Sequence, residues 1–316
     1  MIDIGSRMWA VEPVFARAIS SLVSAGKEDK IANEIKLGQL ARKEMSFIGF
    51  SSNSRAVGGV RETPGMASVG GETPGMASVG GETPGMASVQ DGNGNAEQYV
   101  AVIPIMGGIS RYGDMCSYGT ETLGRWMKQC ERDERIVGVL LEIDSPGGEV
   151  NGTPQLAEII RDCKKPVVSF VKGMAASAAY WFASQSRKIY MEAGPVSSVG
   201  SIGVLMVHYE YKSYEEQNGV KFTLLRSDGS VNKATFNPYE VLTDEVAKEM
   251  VSEMNVMRAE FVKGVKAGRK GKLNTENAEM IFSGKMFRGK AAIDEGLADA
   301  IGTMEDAAKE VFRLAK

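Results

Sequence analysis

Residues 98–316 predict an α/β domain with a largely parallel sheet, and three observations carry that prediction. Apolar runs of strand length recur at Tyr99–Ile105, Ile136–Ile143 and Pro166–Val171. Helix-period stripes fall between and beyond them. The Ile136–Ile143 run is of the kind buried on both faces, as parallel strands are.

The elements follow in order. Leu123, Trp126, Met127 and Cys130 repeat at i, i+3, i+4, i+7, one face of a helix. Thr153 is placed to cap a second helix with Pro154 in its first turn, and Leu156, Ile159, Ile160 and Cys163 form its buried stripe. A strand precedes Ser177, a helix follows it, and a further strand is expected at Ile202–Tyr209. Thr243-Asp244 opens a long helix through about Lys266, with Val246, Met250, Met254 and Met257 near one face.

Upstream, residues 1–49 read as an N-terminal helical segment and 50–97 as a flexible linker. Glu62-Thr63-Pro64-Gly65-Met66-Ala67-Ser68-Val69 recurs at 72–79 and 82–89, each new copy introduced by Gly-Gly. Pro-Gly and Gly-Gly in every ten-residue unit break helices and central strands alike.

Composition narrows the function. The 316 residues hold 37 basic and 40 acidic side chains, a net charge of −3, which argues against a nucleic-acid surface built on overall charge. Cys116, Cys130 and Cys163 have no paired metal-ligand spacing and read as reduced thiols of a cytoplasmic protein. No apolar run reaches the ~18–20 residues of a membrane span, and Asp3 and Glu12 interrupt any signal-peptide core.

The chemistry gathers at Gly173-Met174-Ala175-Ala176-Ser177-Ala178-Ala179-Tyr180-Trp181. One serine stands among four alanines at a strand-to-helix turn, where small neighbours and helix N-terminal amides present a hydroxyl for attack. The chain has one histidine, His208, in a predicted strand and read as structural, so a Ser-Lys arrangement is the alternative to an imidazole base. A lysine serves as a base only where burial destabilises its charge. Gly147 and Gly148 follow the strand end at Asp144. Their bare amides, with that of Ser177 or Ala178, read as an oxyanion hole as well as a tight turn.

Four ordered motifs then carry a resemblance: Ile143-Asp144-Ser145-Pro146-Gly147-Gly148-Glu149-Val150; the Ser177 segment; Ser198-Val199-Gly200-Ser201-Ile202-Gly203-Val204 with Lys233 and Asn237-Pro238-Tyr239-Glu240; and Phe287-Arg288-Gly289-Lys290 with Gly296-Leu297-Ala298-Asp299. Weaker echoes lie at Met8-Trp9-Ala10-Val11. The whole resembles the signal peptide peptidase A family of Ser-Lys proteases, in particular its phage and prophage head maturation branch. The resemblance implies a Clp protease/crotonase-like spiral of β-β-α units, Ser177 as nucleophile, Lys233 as general base and Ser201 as the residue orienting it. Ser198 is the fallback for Ser201, and Lys212 and Lys221 are the rivals of Lys233. It further implies no cofactor or metal, a homo-oligomeric ring in which serine and lysine can come from adjacent subunits, and a protein substrate among phage scaffold, capsid or portal proteins. A soluble bacterial signal-peptide or protein-fragment peptidase, a crotonase-like acyl-CoA enzyme and a non-catalytic capsid assembly protein are the competing readings. Retained CoA would mark the second, and indifference to Ser177→Ala the third.

Overall fold

The structure, a computed structural model, describes residues 9–11, 45–50, 98–114 and 117–316. The helical patterning between 11 and 45, the three repeats and Cys116 lie outside the described residues. The strands are β1 (Trp9–Val11), β2 (Ser46–Phe50), β3 (Gln98–Ile109), β4 (Ile136–Glu149), β5 (Val167–Ala176), β6 (Lys188–Glu192), β7 (Ser198–Gly200), β8 (Met286–Arg288) and β9 (Ala300–Gly302). The helices are α1 (Thr120–Arg132), α2 (Thr153–Arg161), α3 (Ala178–Ser184), α4 (Lys212–Gln217), α5 (Asp244–Gly268), α6 (Ala278–Ile281), α7 (Gly289–Asp294) and α8 (Met304–Leu314).

The sheet runs β2-β3-β4-β5-β6-β9, parallel from β3 onward, with β2 antiparallel on β3. Successive side chains on a strand face opposite sides, so a strand buried on both sides needs apolar residues at every position. Leu141 and Ile143 accordingly join Leu123, Met127, Leu156 and Ile160 from α1 and α2. Leu140 joins Val100, Val168 and, from α8, Ala307 and Val311. Burying one such Leu or Ile contributes about 1.5–3 kcal/mol. The exception in the run, Glu142, is buried with its carboxylate 3.9 Å from the Lys172 ammonium.

Each long strand breaks at the same level. Register shifts fall between Met106 and Gly108 on β3 and between Ile143 and Ser145 on β4. Past that level the tail of β4 pairs with β1, and the tail of β5 leaves β6 for β7, which pairs with β8. The long strands thus carry two successive pairing segments within one nine-stranded sheet, the β-β part of the expected β-β-α units.

Three sequence expectations change. The boundary at 49/50 cuts through β2, whose register Phe47↔Ala101 joins it to the sheet, so residues 46–50 belong to the folded domain. Gly152, at φ 86°, caps α2, and Thr153 is its first residue, donating through Oγ1 to the Glu149 carbonyl at 2.8 Å. No regular strand forms at Ile202–Tyr209. Gly200 and Ser201, both at positive φ, turn the chain off the sheet, and Val204, Leu205 and Met206 are only half-buried. The long helix α5 starts as expected, with Thr243 Oγ1 accepting from the Val246 amide at 3.3 Å. Its Met250, Met254 and Met257 face stays half-exposed, however, and only Phe261 and Val265 are buried.

Candidate active site

Between the last residue of β5 and the first of α3, Ser177 alone turns the chain, at φ 53° and ψ −121°. Such a conformation at a residue with a Cβ costs about 1–3 kcal/mol, and glycine would take it without strain. The backbone holds it there: the Ser177 amide donates to the Gly200 carbonyl at 2.8 Å, and its carbonyl accepts from the Trp181 amide at 3.0 Å. The side chain is 1% exposed, makes no capping bond and has no hydrogen-bond partner for Oγ. A buried hydroxyl left unpaired costs a further ~1–3 kcal/mol. Two costs thus coincide at one residue, the strained backbone and the unpaired buried hydroxyl. Ala175, Ala176, Ala178 and Ala179 are wholly buried around it.

Ser201 shows the same backbone, at φ 53°. Its amide donates to the Lys285 carbonyl at 2.9 Å, and a Cβ on the preceding Gly200 would stand 2.5 Å from that same oxygen, so glycine is required. The register Met174↔Ser198, Ala176↔Gly200 lays β7 beside the end of β5. Ser177, Ser198 and Ser201 are thereby gathered at one corner, with Ser201 8% exposed.

Lys233 is placed differently. The side chain is exposed, as are those of its rivals Lys212 and Lys221. Because Ser177 Oγ has no hydrogen-bond partner, serine and lysine are not in contact within one chain. The expected burial of Lys233 is therefore absent from the single subunit. What the structure does show is a clamp on the turn that carries it. Arg226 donates to the carbonyls of Lys233 at 2.6 Å and Ala234 at 3.0 Å, and grips both oxygens of Glu240 at 3.0 and 2.6 Å. Asn237 Nδ2 donates to the Ala234 carbonyl and to Glu240 Oε2, each at 2.8 Å. Arg226, and then Asn237, hold the Glu240 carboxyl down at about 2. His208 Nε2 lies 2.9 Å from the Asn237 carbonyl oxygen and its ring meets Phe236 edge-on. Among the described residues, the non-glycine positions at positive φ are Ser177, Ser201 and Ala234, the neighbour of Lys233. Backbone strain thus falls on the three motifs that sequence singled out for catalysis.

Gly147 and Gly148 lie in the tail of β4. Gly147 adopts φ 95°, and a Cβ on Gly148 would fall 1.9 Å from the Ile109 carbonyl oxygen, so both must be glycine. The Gly147 amide donates to Ser145 Oγ at 3.2 Å. Ala178, first residue of α3, has an amide without an intrahelical acceptor.

One motif proves structural. Gly296 and Asp299 enclose Arg269, whose side chain is wholly buried: its guanidinium donates to the Gly296 carbonyl at 2.9 and 2.7 Å and to Asp299 Oδ2 at 2.7 Å. Lys272 Nζ reaches Asp299 Oδ1 at 2.7 Å, and the Ile189 amide donates to Oδ2 at 2.8 Å. Between them, the Leu297 carbonyl accepts from Tyr180 of α3 at 3.0 Å, tying the helix behind Ser177 to this knot. Sequence reading missed Arg269, because its partners lie 27 and 30 residues away. Burial works against the Asp299 charge, yet the Arg269 and Lys272 bonds hold its carboxyl below the usual range. Its stabilising effect is thus complete above the ordinary aspartate pKa and is lost as pH falls through the lowered folded value. Asp299→Ala, which leaves the Arg269 charge unpaired, is expected to lower stability by about 3–5 kcal/mol in urea unfolding at pH 7. A loss below about 1 kcal/mol, the range of an exposed pair, would count against the knot.

The site has relatives. The family model described as "Peptidase family S49" matches residues 159–316, and that of the N-terminal domain of NfeD1b matches 99–209. Capsid assembly protease C of Escherichia phage lambda is 34% identical over 69% of this chain and 51% of its own length. Head-tail preconnector protein GP5 of Enterobacteria phage P21 is 32% identical over 66% and 42%. A Methanocaldococcus jannaschii protein that carries a protease name is 35% identical over 58% of each chain. The chain thus spans about half the length of the curated relatives it matches. Among solved structures, a mutant of the 1510-N membrane-bound stomatin-specific protease with a substrate peptide aligns at a TM-score of 0.41 and 18% identity, over 65% of this chain and 76% of the other. With its S49 match running across Ser177, Ser201 and Lys233 to the C-terminus, the chain belongs to peptidase family S49.

Proposed function

We propose that this protein is a serine endopeptidase in which Ser177 attacks the peptide carbonyl, Lys233 takes its proton, and Ser201 orients the lysine amine. The observation that carries this reading is the Ser177 hydroxyl itself, unpaired on a strained turn at the head of a helix. The acyl-enzyme splits one hard step into two, and the amides of Gly147, Gly148 and Ala178 stabilise the oxyanion. In the two phage relatives, names that speak of capsid assembly and head-tail connection point to head-assembly proteins as substrates and to the host cytoplasm as the place of action. No described helix is long and apolar enough to cross a membrane.

The base reaches Ser177 from a neighbouring subunit. The arm between β7 and α5 exposes Tyr209, Tyr211, Tyr214, Phe222 and Leu225 alongside Lys233, apolar surface that a second copy would cover. Burial in that contact would supply the desolvation that a lysine base needs.

The linker offers a substrate within the chain. Each repeat carries Met-Ala-Ser-Val in a segment whose sequence reads as protease-accessible. Trimming near Ala67, Ala77 or Ala87 is expected in the wild type and not in Ser177→Ala. Intact masses of the two proteins, purified side by side, decide it: equal masses leave the repeats as a spacer.

A further inference from the structure

The end of β4 has two edges, and they are filled by different partners. On one edge β3 continues through Gly108↔Gly147 and Ile109↔Gly148. On the other, β5 accompanies β4 only to Ser145↔Ala175, and then turns away at Ala176 into Ser177. The edge of Gly147–Glu149 so vacated lies on the Ser177 side, and an unpaired strand edge is a template for an added strand. The chain's own Trp9–Val11 fills it, antiparallel, in the register Trp9↔Glu149, Ala10↔Gly148, Val11↔Gly147. The same two glycines read as oxyanion donors. The Ser177 hydroxyl beside this edge is closed to solvent.

We propose that β1 is a tethered occupant of the Gly147–Glu149 edge of β4 and competes there with an incoming extended polypeptide. The proposal rests on the reading of Ser177 as nucleophile for its catalytic meaning, though the binding site stands on the strand register alone. Strand addition draws affinity from backbone bonds, so sequences as unlike as β1 and a substrate can share the edge. A tethered strand acts at an effective concentration on the order of millimolar, and a free peptide must outcompete it.

The test uses the full chain in a Ser177→Ala background, with binding as its readout. Residues directly opposite on antiparallel strands lie about 4.5–5.5 Å apart at Cβ, close to disulfide reach. Trp9→Cys with Glu149→Cys should therefore lock β1 in place on oxidation, with the 9–149 link confirmed by peptide mass mapping. Alternate residues of a strand point their amides to the same edge, so Ala10→Pro with Val11→Pro removes the β1 donor in either phase. The probe is a fluorescein-labelled peptide of residues 5–15, followed by anisotropy. The locked protein is expected to bind it at least tenfold more weakly than the same protein reduced, and the double-proline variant at least fivefold more tightly than its parent. Equal affinities across these states, no binding by the proline variant, or no 9–149 link in a protein with native circular dichroism would each overturn the proposal. Phosphonate labelling of wild-type Ser177 is scored separately. If labelling fails while the lock changes binding, the edge site stands and the catalytic reading falls.

Discussion

Ser177→Ala is expected to abolish peptidase activity, by roughly 10⁴–10⁶-fold, while making the protein more stable. The two effects have one origin. The wild-type residue holds a buried hydroxyl with no partner, and removing it recovers up to about 1–3 kcal/mol. Ser177→Gly goes further, since glycine also takes φ 53°, ψ −121° without the penalty of a Cβ, another ~1–3 kcal/mol. Urea unfolding should therefore rank Gly above Ala above wild type, while only the wild type is active, since both variants lack the nucleophile. A serine-directed phosphonate should add one equivalent to the wild type, at Ser177, and none to either variant. A merely structural serine gives the opposite pattern: variants that are less stable or unchanged, and activity that persists. Labelling at another residue would move the nucleophile there.

The strand-to-helix serine was legible because its determinants are local: an apolar strand run, then a glycine, then small residues on both sides of one hydroxyl. The doubly buried β4 was legible for the same reason, since its Ile136–Ile143 run is uncharged throughout except at Glu142. Non-local features escaped. Nothing around Ser46–Phe50 announces a partner some fifty residues on, and β2 was divided between a helical segment and a linker. Arg269 looks like one more surface cation at a helix end until Gly296 and Asp299 close around it. At Ile202–Tyr209 the apolar run was real, but a run of apolar residues does not say where a neighbouring strand comes from. Here the segment forms no regular strand, only a single bridge at Leu205. The motif Asn237-Pro238-Tyr239-Glu240 was recognisable as a motif, while its work, closing with Arg226 on the turn of Lys233, needed the folded arm to be seen.

Mixing two inactive proteins is expected to restore activity. Lys233→Met should be as silent as Ser177→Ala, because without a base the serine keeps its proton, and both should fold, since the Lys233 side chain is exposed and the Arg226 clamp holds only its carbonyl. If serine and lysine meet across a subunit contact, a co-refolded equal mixture contains sites that draw a wild-type Ser177 from one subunit and a wild-type Lys233 from the next. Random assembly in a closed ring gives about one quarter of wild-type activity, as one half of the sites have each intact partner. A dyad closed within one chain gives none at any ratio, because every chain lacks one member. Dilution supplies a second, independent signature. Specific activity of the wild type should fall as the ring dissociates, and the loss should track the oligomer fraction in analytical ultracentrifugation. Activity that is independent of concentration down to the monomer, together with a dead mixture, would return the base to the same chain and require the arm to fold back onto Ser177. A Lys233→Met protein that keeps full activity would instead pass the role to Lys212 or Lys221, both exposed on the same arm and equally open to burial by a neighbour.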